Sequence, residues 1–410
     1  MLYGCIGEKL GHSFSKIIHN ALGDYSYELC EVAREDLSDF ATSKDFKAIN
    51  VTIPYKELII PHLSYIDEHA RAIGAVNTVV NRDGKLYGYN TDFYGMSALI
   101  EHLGLNLADK KLAILGSGGT SKTAYAVAKA LGADPILRVS RTAKDGAISY
   151  DDLYKDHTDT EIIINTTPVG MYPAGYELSC DIEKFPRLCG AIDAVYNPLR
   201  TPFISKAIER GIPAEGGLYM LVAQAVRASE IFLDIKYSDG ELDRVFNEIL
   251  KSNENIVLVG MPSSGKSTVG ALLADKLNRQ LIDTDSLIVE RSGVDIPTIF
   301  KEHGEPYFRD LESEAVFSAS AQTGSVIATG GGAILRVENV KALKQNGKIF
   351  FLDRPLAELC PTSDRPLSLD RSAIEKRYNE RYSIYLASCD EQIDVSGTPN
   401  DVAEKILKRF

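Results

Sequence analysis

The sequence predicts an α/β protein built on parallel sheets, with two separate nucleotide-binding units. Short apolar runs alternate with longer amphipathic stretches, which is the rhythm of repeated strand–helix–strand units; the runs are Lys111–Leu115, Ile162–Ile164, Ile256–Val259, Ser325–Ala328 and Ile349–Leu352. One glycine-rich turn opens at Gly116 and another at Gly260, each directly after such a run. The two turns have unlike patterns, so they belong to unlike nucleotide folds.

At 410 residues the chain exceeds one ordinary core, and two or three domains are expected. Its apolar fraction of 44% and charged fraction of 25% are those of soluble globular proteins. The formal net charge of −12 argues against nucleic acid or an anionic membrane as the main partner. The six cysteines include no C-x-x-C pair and no zinc-like spacing with histidine, so free thiols are expected. No basic-then-apolar leader is present, and no apolar run approaches the ~20 residues of a spanning helix. A cytoplasmic protein acting on small molecules follows as the expectation. The polar stretch Lys251–Asn255, between a helix over Gly240–Leu250 and a new strand, reads as the linker between the two units.

After the strand Lys111–Leu115 comes Gly116-Ser117-Gly118-Gly119-Thr120-Ser121, then a helix over Lys122–Leu131. This order suits a dinucleotide: glycines let the backbone approach a pyrophosphate, and the helix N-terminus offers it unpaired N–H groups. The third glycine of the usual G-x-G-x-x-G is Ser121 here. The next strand, Ile136–Val139, ends in Ser140-Arg141-Thr142, where an NAD enzyme would set an acid against the ribose hydroxyls. A guanidinium at Arg141 suits a 2′-phosphate, which favours NADP; the plain alternative is a solvated surface arginine, and Asp145 lies nearby. Upstream, Lys56 follows Asn50-Val51-Thr52-Ile53-Pro54-Tyr55, and Asp92 closes Gly88-Tyr89-Asn90-Thr91. A Lys–Asp pair can exchange a proton with a carbinol oxygen while hydride moves at carbon. Either residue alone is an ordinary surface charge, and sequence separation does not bring them together.

Residues 1–250 resemble the shikimate dehydrogenase family. The matching segments are Tyr3-Gly4 through Gly11-His12-Ser13-Phe14-Ser15, Asn50–Lys56, Gly74–Thr78, Tyr89–Asp92, the glycine turn, Asn165–Met171, Tyr196–Pro198, and Gly217–Leu221 with Gln224. The resemblance implies that Lys56 transfers the proton and that Asp92 is its substrate-binding partner. It implies that Ser13 and Ser15 hold the substrate carboxylate, that Thr52, Asn77 and Gln224 bind ring hydroxyls, that Tyr196 helps close the site and that Gly217 approaches the nicotinamide. Lys16 departs from the family, which usually has proline there. The family fold implies a two-domain dehydrogenase: a substrate domain from 1–95 plus 218–250, and a Rossmann-like NADP domain over 96–217.

The second turn, Gly260-Met261-Pro262-Ser263-Ser264-Gly265-Lys266-Ser267, matches the P-loop pattern in full between a strand and a helix. In such a loop the backbone from Ser263, Ser264 and Gly265 to Thr268 cradles phosphates, Lys266 reaches the outer ones, and the Ser267 hydroxyl ligates Mg²⁺. Asp283 and Asp285 follow a short strand, Gln280–Ile282, and can serve Mg²⁺ and a substrate hydroxyl separately. Arg309 and Glu312 lie one turn apart on a helix; taken alone they are a plain surface pair. Gly330-Gly331-Gly332 follows another strand, where bare backbone can approach a ligand. Arg365 sits in a polar loop, and Arg381 precedes Tyr385 on a late helix.

Together these resemble the shikimate kinase family over 254–410, which implies a P-loop, nucleoside-monophosphate-kinase-like α/β domain at 256–410. By that resemblance Asp285 meets the acceptor hydroxyl, as hydrogen-bond partner and base, and Asp283 supports Mg²⁺ through water. Arg309 and Arg381 hold the carboxylate, the three glycines a ring hydroxyl, and Arg365 acts from a lid on the transferring phosphoryl group. Two departures cluster in the lid. Its loop is short between Leu359 and Arg365, and the family's adenine-stacking arginine has no match, Cys360 standing near its place. A loose base site, with comparable use of ATP and GTP, is the resulting expectation. The two resemblances imply reduction of 3-dehydroshikimate with NADPH followed by ATP- and Mg²⁺-dependent phosphorylation of shikimate. The alternatives are a quinate-type dehydrogenase fused to the kinase, and a regulatory fusion with one inactive half.

Overall fold

The computed structural model describes residues 2–10, 14–23, 25–144, 146–360 and 371–410; Ser13, Asp145 and Arg365 lie outside the described residues. The chain divides into two compact units, Met1–Ile249 and Leu250–Phe410.

The first unit holds two sheets. One comprises β1 (Tyr3–Gly7), β2 (Tyr27–Glu31), β3 (Ala48–Val51), β4 (Tyr65–Ile66), β5 (Thr78–Arg82) and β6 (Lys85–Tyr89), in the order β2-β1-β3-β5-β6-β4. It is mixed, unlike the parallel sheets expected. β3 pairs antiparallel with β5, and β5 and β6 form a hairpin in which Arg82 faces Lys85. The turn residues Asp83 and Gly84 both have positive φ, which a two-residue hairpin of this hand requires. β3 is buried along its length. Ile49 and Val51 pack with Tyr55 and Ile59 on one face, while Ala48 packs with Ala228 and Phe232 on the other.

The second sheet is wholly parallel: β7 (Leu112–Leu115), β8 (Ile136–Val139), β9 (Ile162–Asn165), β10 (Gly190–Asp193) and β11 (Ala214–Glu215), in the order β11-β10-β9-β7-β8. The order reverses at β7, so the crevice for a ligand lies beyond its C-terminal end, where the first glycine turn stands. The helix after that turn begins at Gly119, three residues earlier than expected, and runs to Ala130. Helices Thr91–His102 and Leu218–Leu233 pack against each other. A Cβ on Gly95 would lie 2.5 Å from the Met220 carbonyl oxygen, so only a bare backbone permits this contact. The domain boundary read at 95/96 therefore falls inside a helix.

At the end of β10, Asp193 is fully buried and accepts hydrogen bonds from Thr201 Oγ1 (2.7 Å), Asn165 Nδ2 (2.9 Å) and Val195 N (3.0 Å). Burial pushes its carboxyl up to about 7, against the pull of those bonds. A raised carboxyl binds its proton more tightly in the fold than in the unfolded chain. Its stabilising contribution is full below about pH 4 and is lost as pH rises through about 7. Relative to the Asp193→Asn variant, the wild type is expected to lose stability across that window, by on the order of 4 kcal/mol at most. Amide exchange of β9 and β10 as a function of pH measures this. Parallel profiles for the two proteins would show the carboxylate ionised throughout.

The second unit has one parallel sheet: β12 (Asn255–Val259), β13 (Leu281–Asp283), β14 (Val326–Ala328), β15 (Gly347–Asp353) and β16 (Glu391–Asp394), in the order β13-β14-β12-β15-β16. Along β12, Val257 and Val259 enter one apolar cluster and Ile256 and Leu258 the other. A continuous apolar run is what a strand covered on both faces needs. The linker expected at 251–255 is not a loop. The preceding helix, Glu241–Asn253, runs through most of it, and β12 begins at Asn255. Its polar side chains and carbonyls are spent internally: Asn255 bonds the Gln322 carbonyl and the Ser325 amide, and Arg279 bonds the Glu254 carbonyl.

Candidate active sites

In the first unit, β3 runs into a short helix, Tyr55–Leu58, that carries Lys56. Tyr55 anchors this turn from below: its ring is buried and its hydroxyl donates to the Val32 carbonyl. β6 runs into the helix that carries Asp92 in its first turn, with Asn90 as its N-cap. The two ends converge, and Lys56 Nζ lies 2.6 Å from Asp92 Oδ2. Both side chains keep part of their surface open, at 29% and 18%.

Polar groups surround the pair. Asn77 Oδ1 accepts from the Thr91 amide (2.7 Å), the Thr91 hydroxyl (3.2 Å) and the Thr78 hydroxyl (3.0 Å). The Thr91 hydroxyl also reaches Gln224 Oε1 at 3.3 Å. Behind them Tyr27 donates to Asn50, whose amide bonds Thr78. The network fixes Asn77 and Gln224 in place and leads back into the core. Thr52, at the end of β3, is half-buried, and its amide is held by the Ile6 carbonyl. Ser15 lies in the first turn of the helix Phe14–Leu22, with Lys16 exposed beside it. Phe14 meets Tyr196 edge to face at 5.4 Å, and burial pushes the Tyr196 hydroxyl pKa up. Gly217 N donates to the Val195 carbonyl, so Gly217 sits beside Tyr196 at the start of the helix bearing Gln224.

The residues expected to take the dinucleotide share one sheet edge. Gly116 N donates to the Val139 carbonyl, which sets the glycine turn beside Ser140, Arg141 and Thr142. A Cβ on Gly118 or Gly119 would meet no atom within 4 Å among the described residues, and the Gly119–Ala130 helix has no side-chain cap. Open backbone at an uncapped helix start fits a pyrophosphate. Ser117 and Thr120 lie in the same turn, and Arg141 and Thr142 are exposed at its rim.

In the second unit, the loop after β12 holds Ser263 and Gly265 at positive φ and leads into the helix Lys266–Leu277. Lys266 is buried and donates to the Gly260 and Met261 carbonyls, each at 2.9 Å. Ser264 Oγ is buried with no partner among the described residues. Ser267 Oγ donates to Asp283 Oδ2 at 2.8 Å, while Asp283 Oδ1 caps the next helix through the Asp285 and Ser286 amides. Thr268 follows in the helix. One hydroxyl and one carboxylate side by side suit a Mg²⁺ ion that keeps several waters and phosphate oxygens.

The acceptor residues also meet. A Cβ on Gly330 would lie 2.6 Å from Asp285 Oδ1 and 2.8 Å from Glu312 Oε1, so only glycine leaves room between the two carboxyls. Gly331 offers its carbonyl to Arg381 (2.9 Å) and to the Tyr385 hydroxyl (2.6 Å), and the Arg309 guanidinium lies against Gly332. Arg309 and Glu312 are not a surface pair. They form a buried ion pair at 2.6 Å, with Glu305 joining at 2.8 Å. Burial works against the Arg309 charge, but the two carboxylates outweigh it and raise its pKa. Burial pushes the Glu312 carboxyl up while Arg309 pulls it down. Glu312 Oε1 has no hydrogen-bond partner among the described residues and faces Gly330. Thr91 thus joins the residues expected from sequence, and Glu312, read there only as a partner of Arg309, faces Gly330 as well.

The comparisons with known proteins place both units in families. The family described as shikimate dehydrogenase substrate binding domain matches residues 5–79, and the shikimate kinase family matches residues 262–410. A shikimate dehydrogenase (NADP(+)) of Clostridium perfringens is 36% identical over 265 residues, covering 60% of this chain and 98% of that protein. The crystal structure of shikimate dehydrogenase 1 from Peptoclostridium difficile is 35% identical with a TM-score of 0.55, covering 60% of this chain and 97% of that one. A chorismate mutase/shikimate 5-dehydrogenase fusion protein from Clostridium acetobutylicum is 36% identical with a TM-score of 0.56, covering 60% and 96%. The chain belongs to the shikimate dehydrogenase family and carries a shikimate kinase domain behind the dehydrogenase.

Proposed function

We propose that the first unit reduces 3-dehydroshikimate to shikimate with NADPH and that the second phosphorylates the product with ATP and Mg²⁺. One observation carries the reading: each unit gathers polar residues that suit its own reaction, and both matching families are named for the same ligand.

NADPH, held along Gly116–Thr120 and by Arg141, supplies the hydride when bound. Reduction adds that hydride to the ring carbonyl carbon and a proton to its oxygen. The Lys56 ammonium, held by Asp92, stands where such a proton can be delivered and in the reverse direction recovered. Asn77 and Gln224 orient the ring hydroxyls, and Ser15 takes the carboxylate with Tyr196 over it. In the second unit Arg309 and Arg381 hold the carboxylate, and Asp285 accepts the proton of the attacking hydroxyl. Lys266 turns from the loop carbonyls to the phosphates. Ser267 and Asp283 would hold Mg²⁺, which would offset phosphate charge.

The test uses the whole chain. With shikimate and NADP⁺ it is expected to form NADPH. With shikimate, ATP and Mg²⁺ it is expected to form shikimate 3-phosphate, and EDTA is expected to stop the second reaction only. A chain silent in either assay would refute the two-enzyme reading.

A further inference from the structure

We propose that Arg354 is a phosphate-binding residue for ATP at the outer rim of the P-loop, a role that rests on the kinase reading of the second unit. Its position is built rather than incidental. β15 ends at Asp353, whose carboxylate is pinned by the Tyr382 hydroxyl (3.1 Å) and Gln392 Nε2 (2.7 Å). Pro355 follows Arg354 and restricts its backbone. The short turn beyond is fastened to the core by Leu356 and the buried Leu359, and to the P-loop by a 2.9 Å hydrogen bond from Ser263 Oγ to the Cys360 carbonyl. At the base of the loop, a Cβ on Gly260 would lie 2.9 Å from the Leu352 carbonyl oxygen. The segment 352–360 therefore lies against the P-loop from end to end.

From this footing the Arg354 guanidinium extends to Gly265. Its Nη2 lies 4.0 Å from the place a Cβ there would take, and among the described residues no other atom comes that near. Arg354 Nε is buried with no partner among the described residues, and the guanidinium has one long contact, Nη1 to Glu358 Oε2 at 3.3 Å. Glu358 is more than half exposed, so that pair is weakly held. A fork of donors with an unused N–H, standing over the loop that receives a triphosphate, matches phosphate oxygens in geometry and charge. On nucleotide binding Arg354 exchanges Glu358 for phosphate.

The experiment measures ADP and inorganic pyrophosphate binding to the full chain by calorimetry, with the KM values for ATP and shikimate. Arg354→Ala is expected to weaken ADP and pyrophosphate alike, by about tenfold, the size of one charge-assisted contact. KM for ATP should rise in step, with KM for shikimate and the dehydrogenase activity unchanged. Arg354→Lys should recover part of the loss. Glu358→Gln should shift binding the other way, tightening ADP by about two- to threefold through loss of a weak competing pair. Were Arg354 only a brace for the loop, both substitutions would weaken binding. Unchanged ADP affinity in Arg354→Ala overturns the proposal alone, as does a loss confined to ADP that spares pyrophosphate. A wild-type chain that binds neither probe overturns the kinase reading and this role together.

Discussion

Replacing Lys56 with alanine is expected to lower kcat for shikimate oxidation by about a hundred- to ten-thousandfold, the usual worth of a positioned proton-transfer group. The fold should tolerate the change. The Lys56 side chain is partly exposed, and its carbonyl keeps its bond from the Val76 amide. Tyr55 still anchors the turn, and the Asp92 left behind keeps part of its surface open to water. The loss should fall on kcat far more than on KM, because Asn77, Thr91 and Gln224 keep their mutual bonds. Phosphorylation of shikimate by the same preparation should continue at the wild-type rate, because it belongs to the other unit. A variant that keeps more than about a tenth of kcat would place proton transfer elsewhere.

Lys56 and Asp92 each stand just after a strand in the sequence, but either alone reads as an ordinary surface charge, and only the family resemblance gives them their roles. The partners that lock them are less visible. Thr91 bonds Asn77 and Gln224 across separations of 14 and 133 residues, and no local pattern records such a link. Arg309 and Glu312 show why a helix spacing of three is ambiguous: the same spacing occurs in solvent and in a buried site, and only packing distinguishes them. Strand cores are legible from apolar runs buried on both faces, and β8 has the limits that the sequence suggests. The β5–β6 hairpin is signalled by Asp83-Gly84 but masked by the parallel rhythm around it. At 251–255 polarity suggests solvent, whereas the polar groups close internal hydrogen bonds. Composition reports how polar a segment is, not where its polar groups are satisfied.

Asp285→Asn should have the matching effect on the second reaction, lowering kcat for phosphorylation by about a hundred- to ten-thousandfold. Asparagine has nearly the same shape and can still hydrogen-bond a ring hydroxyl, so shikimate should bind with little change in KM. What it lacks is the capacity to take the hydroxyl proton. The Asp285 amide is held by Asp283, and the neighbouring Thr284 hydroxyl accepts from the Gly330 amide at 2.9 Å. ATP affinity should be unchanged, because Lys266, Ser267 and Asp283 hold contacts of their own that do not use the Asp285 side chain. The variant therefore separates two ways of using a carboxylate that geometry alone leaves equivalent. If Asp285 is the base, kcat falls while both KM values hold. If it only positions the hydroxyl, Asn preserves most of kcat. In that case the proton must pass to the phosphate oxygens or to Glu312, whose Oε1 has no partner among the described residues and faces the same glycine.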